Sequence, residues 1–357
     1  MIYFPKIDQS EINFISDNYQ LYLKENKKNK NISLFDQKIF KEIIEFNQSY
    51  SSSNYFDGTW EWIDREKKIF FHKNFEKNNL KKINDVFSNF FRNHLSFGLI
   101  SSHWEKRKKI GWKRKLLSDI YKNLSTWEEF TKKSNQDYKL LHSSKEIGSP
   151  YGLNYKNNII LFDTPRHDYF ANKINNLIKN SKKTPIILEI GGGYGGLLAQ
   201  LIKRKLNFKY INIDIFKTLP VAYYYLKKSF KIDIAITKSI TNQDIDKNNF
   251  IFVPFFGQNF WHSSKKINLV FNSNSFSEMG KKTLHKYFEC INKKIKPLYL
   301  LHQNTNIDLF KKLRKYKEIP SSKFPIDHSN YEMINSSISM FQGGSGRYRE
   351  YLFKRNY

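Results

Sequence analysis

The sequence predicts an α/β fold: a mostly parallel sheet of seven strands with helices on both faces, preceded by a helical N-terminal cap. Three observations predict it. Ile186–Ile202 (IILEIGGGYGGLLAQLI) reads as a buried strand, a glycine-rich turn and a helix in immediate succession. Phe208–Asp214 is an alternating apolar strand that ends in a carboxylate. From residue 184 to 305 short apolar runs alternate with helical stretches, whereas the first 145 residues are basic and helix-like. The boundary separates a mainly helical cap and substrate region, 1–145, from the sheet domain, 146–357.

In the cap, Ser33 with Asp36 and Thr126 with Glu129 have the spacing of helix starts. Asn47–Asn54 (NQSYSSSN) reads as a loop. Asn79–Arg92 places Leu80, Ile83, Val86, Phe87, Phe90 and Phe91 on one helical face, a stripe that belongs in a core. In the sheet domain Glu189 precedes Gly191, Gly193 and Gly195, giving E-x-G-x-G-x-G rather than the G-x-G-x-x-G of dinucleotide sites. A dinucleotide site seats a pyrophosphate on a helix N-terminus. An acidic strand end suits instead a cationic ligand with a free amino group, and S-adenosylmethionine is that ligand. Asp214, nineteen residues after Gly195 at the tip of the next strand, is placed to bind the ribose diol. A tight structural turn would also use these glycines, but it would not require Asp214.

After Asp214 come a tyrosine-rich helix, Thr218–Lys228, and short strands at Ile232–Ile236, Phe250–Pro254 and Ile267–Phe271. The last runs into Asn272–Met279 (NSNSFSEM). A further strand, Pro297–Leu301, is followed by His302, Gln303 and Asn304. Ligands of open parallel sheets lie off the carboxyl ends of strands, so these segments face the reaction.

Composition narrows the rest. The chain has 357 residues, long enough for a large domain and a smaller one. Its one cysteine, Cys290, excludes a disulfide framework or a cysteine-rich zinc site. No apolar run reaches membrane-spanning length and Met1–Lys6 lacks the order of a signal peptide, so a cytoplasmic location is expected. A net charge of +28 and a pI near 9.7 favour acidic partners, including an anionic membrane surface. Lysine and asparagine are spread along the whole chain rather than gathered in a stripe, so nucleic acid is not the expected partner. No dense carboxylate cluster assigns a divalent metal.

Methyltransferases acting on nucleobase amines carry an Asn/Asp-Pro-Pro-aromatic tetrapeptide after the fourth strand, which stacks a planar base; Asn272–Ser275 (NSNS) is different. A hydroxyl acceptor needs a group to take its proton, and Glu278 and a nearby histidine are candidates.

Four blocks make the chain similar to the bacterial sugar O-methyltransferases found among polysaccharide-biosynthesis genes. They are Ile147–Gly152 (IGSPYG) with Ile159–Phe170 (IILFDTPRHDYF), the EIGGGYGGL loop, Asp214–Leu226 (DIFKTLPVAYYYL), and NSNSFSEM. Ser149 stands where that family more often has asparagine, and Phe216–Lys217 depart from its Pro-Glu. The resemblance covers roughly 147–305. It implies a class I, Rossmann-like methyltransferase in which Glu189, Gly191, Gly193, Gly195 and Asp214 hold S-adenosylmethionine. Arg166, His167, Tyr169, Ser275 and Glu278 would face a free or nucleotide- or lipid-linked glycan acceptor, with His167 and Glu278 catalytic; His302, just past the strand Pro297–Leu301, is a further substrate-binding candidate by position. Plainer roles stand beside these: Arg166 and His167 as ties between cap and sheet, Glu278 as a helix cap, His262 and His302 as satisfied core or surface residues. RNA methylation and a non-catalytic scaffold remain alternative functions.

Overall fold

The computed structural model describes residues 9–25, 31–50, 78–99, 111–131, 138–155, 158–254, 260–306, 318–341 and 347–356. Twelve strands are numbered among them: β1 Gln20–Tyr22, β2 His142–Ser143, β3 Gly152–Tyr155, β4 Asn158–Ile160, β5 Ile186–Ile190, β6 Lys209–Asp214, β7 Ala235–Ile236, β8 Phe250–Pro254, β9 Leu269–Ser273, β10 Tyr299–Thr305, β11 Tyr331–Ile338 and β12 Tyr348–Arg355. The main sheet runs β11-β12-β10-β9-β5-β6-β8-β7. From β10 to β7 every pairing is parallel, and β12 and β11 add an antiparallel hairpin. The sheet therefore has eight strands among the described residues rather than seven: six fall on runs read from the sequence, β7 being the end of Ile232–Ile236, and the hairpin β11–β12 supplies the other two. β5, the strand before the glycine turn, is central and buried at every residue, which explains its unbroken apolar reading.

The region ahead of the main sheet is not purely helical. β1, β3, β4 and β2 form a small antiparallel sheet that the sequence reading, a helical cap, did not include. Its segments are two to four residues long, too short to show a period of two. Ser33 does start a helix, Leu34–Tyr50, accepting from the Asp36 amide at 3.1 Å. That helix carries Asn47–Tyr50 on past the expected loop; the remainder of that loop, 51–54, lies outside the described residues. Thr126 starts nothing: it sits inside Trp112–Thr131, because Leu116, Leu117, Ile120 and Leu124 already bury one face of a helix before it. The Leu80–Phe91 stripe breaks into a helix, Leu80–Phe87, and a short 3-10 turn, Phe90–Arg92, with Ile83, Phe87, Phe90 and Phe91 buried. His302, Gln303 and Asn304 lie within β10 rather than beyond it, since pairing with β9 and β12 on both sides keeps the chain extended to Thr305.

Two apolar clusters cover the two faces of the sheet. One joins cap residues such as Phe40, Phe87 and Trp127 to Phe170, Tyr210 and Tyr224 without interruption. The other packs Leu284, Phe288 and Phe324 on Leu188, Ile211 and Leu300. The cap thus shares a core with one sheet face. Asp168, fully buried, fastens it by accepting hydrogen bonds from Trp127 Nε1 and Arg204 Nη2, each at 2.8 Å. Arg92 does the same for the IGSPYG turn, donating to the carbonyls of Ser149 at 2.7 Å and Pro150 at 3.0 Å. Ser149 there has φ +52, a conformation that asparagine tolerates better than most residues.

Candidate active site

The glycine turn is required by backbone geometry. Gly191, Gly193 and Gly195 have φ of +79, +58 and +83. A Cβ on Gly191 would stand 2.2 Å from Ser275 Oγ, and one on Gly195 would stand 2.8 Å from Leu226 Cδ1. Gly193 is different: its Cβ direction meets nothing nearer than the Leu99 carbonyl, at 3.4 Å. It therefore presents bare backbone to the open side of the loop, roofed by the cap at Leu99.

Beside the loop lie two carboxylates. Asp214, at the tip of β6, accepts from the Gly193 amide at 2.9 Å and the Ile215 amide at 2.7 Å, which fixes it against the turn. Glu189 is buried and accepts from Tyr210 OH on the neighbouring strand. Burial pushes its carboxyl up to about 7, against the Tyr210 hydrogen bond, with Asp214 adding to the rise and the Arg166 charge opposing it. Gly192 N donates to Asn212 Oδ1 at 3.3 Å. A bare glycine backbone, an anchored Asp214 and a buried acidic group that a cation would ionise fit an adenosine carrying an amino acid.

The side expected to face the acceptor is built from β9, β10 and the helix Thr164–Ile178, which Pro165 starts. Arg166 Nη1 donates to Ser273 Oγ at 2.5 Å, Ser273 Oγ to Gln303 Oε1 at 2.9 Å, and Gln303 Nε2 to Ser339 Oγ at 2.5 Å. Arg166 also meets Asp163 at 3.2 Å, and its Nε is buried without a hydrogen-bond partner among the described residues. Ser275 is held by Asn272 Nδ2 at 2.5 Å and donates to the Ile190 carbonyl at 3.2 Å, so it locks the end of β9 against the glycine turn. Asn274 between them has φ +70, strained for a residue with a side chain, and its Oδ1 is buried without a donor among the described residues. Glu278, half-buried, ends the short helix Ser275–Glu278 that follows.

The structure brings Glu189, the three glycines, Asp214 and Ser275 together, with Arg166 and His167 next to them. His167 lies against the start of the helix after the turn, where a Cβ on Gly196 would be 2.3 Å from its ring. Its Nε2 is 3.4 Å from Arg166 Nη2 and its Nδ1 is 3.5 Å from Tyr194 OH. Burial, then the Arg166 charge, push its pKa down to about 3, against Asp163. A histidine poised near neutrality is therefore not what the geometry provides. Tyr169 points instead toward β12, donating to Glu350 at 3.0 Å. His302 is not at the site: it is fully buried on the opposite sheet face among Phe324, Tyr351 and Phe353. Sequence reasoning missed Tyr210, Asn212, Asn274 and Ser339, and named Gln303 without a role. Only Asn212, two residues before the acidic strand tip, had a positional signal.

Among the described residues no group of His, Cys, Asp and Glu could hold a metal ion, and no helix is long and apolar enough to cross a membrane. The profile of the methyltransferase domain family matches residues 162–341, half of the chain and all of the glycine turn, Asp214 and the β9–β10 strand ends. The chain belongs to the methyltransferase domain family. It is a class I, Rossmann-like methyltransferase whose cofactor is S-adenosylmethionine. Solved structures resemble this methyltransferase distantly. The N-methyltransferase NodS from Bradyrhizobium japonicum WM9, in complex with S-adenosylhomocysteine, is 11% identical over 54% of this chain and 88% of its own, with a TM-score of 0.40. The PH0226 protein from Pyrococcus horikoshii OT3 is 11% identical over 54% and 92%, at 0.38. The small RNA methyltransferase HEN1 is 15% identical over 55% of this chain and 25% of its own, at 0.39. Among curated proteins none matches.

Proposed function

We propose that this methyltransferase transfers a methyl group to a sugar hydroxyl, in the synthesis of a surface polysaccharide such as capsule or O-antigen. The observation that carries the reading is the Arg166–Ser273–Gln303–Ser339 chain at the carboxyl ends of β9 and β10. It offers hydroxyl, amide and guanidinium groups, which suit a polyol, where base-amine methyltransferases place a proline-aromatic stacking platform.

When bound, S-adenosylmethionine supplies an electrophilic methyl on a sulfonium. The chain supplies alignment and dryness. Gly191–Gly195 and Asp214 hold the adenosine part, Glu189 faces the cationic amino acid part, and Leu99 closes the loop from the cap. Ser273 and Gln303 orient the acceptor hydroxyl, and the orphan Arg166 Nε–H is available to a sugar oxygen. Glu278 takes the hydroxyl proton as the oxygen attacks in line; His167, held neutral beside Arg166, positions rather than abstracts.

The test is transfer of labelled methyl from S-adenosylmethionine to glycans extracted from cells lacking the gene. Appearance of a methylated monosaccharide on hydrolysis is expected. Labelling of RNA in place of glycan would overturn the reading.

A further inference from the structure

The two edges of the main sheet are unlike. One ends in β7, which is two residues long, and a very short edge strand is a common way of blunting an edge. The other ends in β11, eight residues long and, among the described residues, paired on one side only, with β12. Such edges are usually defended by lysine. Tyr331–Met340 contains no lysine or arginine, in a chain with 61 of them. Its single charge, Glu332, stands opposite Lys354. What it shows to solvent is Met333, Ile334, Ile338 and, just past its end, Met340, each 45–51% exposed. These are half of the exposed large apolar residues among those described. The register sets Met333 opposite Phe353 and Ile338 opposite Arg349, so both stand on the sheet face that carries Tyr351 and Phe353. A bulge at Ile334 interrupts the ladder and leaves Asn335–Ile338 regular.

We propose that β11 pairs antiparallel with β11 of a second copy of this chain, giving a two-fold dimer whose sheet continues across the interface. Charge selects this occupant. Each copy carries +28, so copies repel one another over their lysine-rich surfaces. The β11 strand has no lysine or arginine of its own, and its one charge, Glu332, faces Lys354, so that repulsion is least there. An acidic partner, nucleic acid or anionic lipid, finds few cations along the strand: Arg349 already donates to Ser336 Oγ at 2.9 Å and Lys354 stands opposite Glu332. Two-fold pairing gives the outward amides and carbonyls of Asn335–Ile338 partners on the same residues of the other copy, and it covers the apolar side chains with their own equivalents.

Light scattering on the eluting full chain, across a concentration series, tests the proposal. The expected mass is twice the 42.8 kDa of one chain. The double variant Met333→Lys, Ile338→Lys is expected to halve it while keeping the wild-type circular dichroism and S-adenosylhomocysteine affinity. If that variant loses its fold, Ile334→Lys at the bulge is the replacement, since no regular pairing is disturbed there. The outward amides among 335–338 should exchange slowly in the wild type and rapidly in the monomeric variant. A wild type that stays at single-chain mass throughout the series overturns the proposal, as does a folded variant that remains dimeric.

Discussion

At the scale of single residues, the cofactor half of the site gives the sharpest expectations. Gly193 combines φ +58 with a Cβ direction that meets only the Leu99 backbone, at 3.4 Å, which leaves little space over the loop. Gly193→Val should abolish S-adenosylhomocysteine binding by calorimetry, because a β-branched residue both fills that space and resists the left-handed conformation. A folded variant with unchanged affinity would remove this loop from the cofactor site. Asp214→Ala should weaken the same binding by roughly 1.5–3 kcal/mol, the scale for hydrogen bonds to a charged group. A change below about twofold, well under that scale, would place the ribose contact elsewhere. On the acceptor side the two candidates separate by pH. Glu278→Gln should lower single-turnover transfer by about a hundredfold or more, the usual worth of a general base. With His167 pushed down to about 3, His167→Ala should leave the pH profile above 6 unaltered in shape while reducing the rate through misplacement of Arg166. A wild-type limb near pH 6.5 that vanishes in His167→Ala would make the histidine the base after all.

At the scale of elements, the helix Thr164–Ile178 ties together the cap, the turn and the sheet. Arg166 reaches β9 and β10, Tyr169 and Lys173 reach Glu350 on β12, and Asp168 holds Trp127 of the cap and Arg204 after the turn. Asp168→Ala leaves a buried indole N–H and a largely buried guanidinium without their acceptor. It should cost about 3 kcal/mol in urea denaturation, the lower end for breaking one side of a buried ion pair. An unchanged midpoint would show that the cap is held by its apolar contacts alone. The helix itself was not read from the sequence, although Arg166-His167-Asp168-Tyr169 stood out within a block shared with the resembling family. Legible were β5, β6, β8 and the glycine turn, whose apolar runs and punctuation are local signals. The ends of β9 and β10 were not. Their buried polar residues are satisfied by partners far away in sequence, Arg166 for Ser273 and Ser339 for Gln303, and no local pattern encodes that. β11 was hidden for another reason, since the bulge puts Met333 and Ile334 side by side and breaks the alternation by which a strand is read.

At the scale of the whole molecule, His302 turns from a site candidate into a determinant of stability. Its ring is fully buried, stacks on Phe353 at 5.9 Å, and neither nitrogen has a hydrogen-bond partner among the described residues. Burial alone pushes its pKa down to about 3. The unfolded chain, with an ordinary histidine pKa near 6.5, therefore binds protons first as pH falls. The stability that neutral His302 preserves is complete above about pH 6.5 and is lost progressively down to about 3, a span worth on the order of 4–5 kcal/mol. His167, also pushed down to about 3, acts in the same direction. Acidification also adds charge to a chain already at +28, which strains every compact state. Carboxylate protonation contributes to acid unfolding as well, so the informative quantity is a difference between variants rather than one curve. His302→Leu places an apolar side chain of similar size among Phe324, Tyr351 and Phe353, removing two unsatisfied nitrogens. It should raise stability at pH 7.5 by about 1–2 kcal/mol, the desolvation cost of such groups. The gap over the wild type should then widen steadily between about pH 6 and 4, as the wild type alone forfeits its histidine contribution. Urea midpoints for both proteins across that range are the measurement, and a gap that stays constant with pH would mean that His302 is already protonated or solvated in the folded chain.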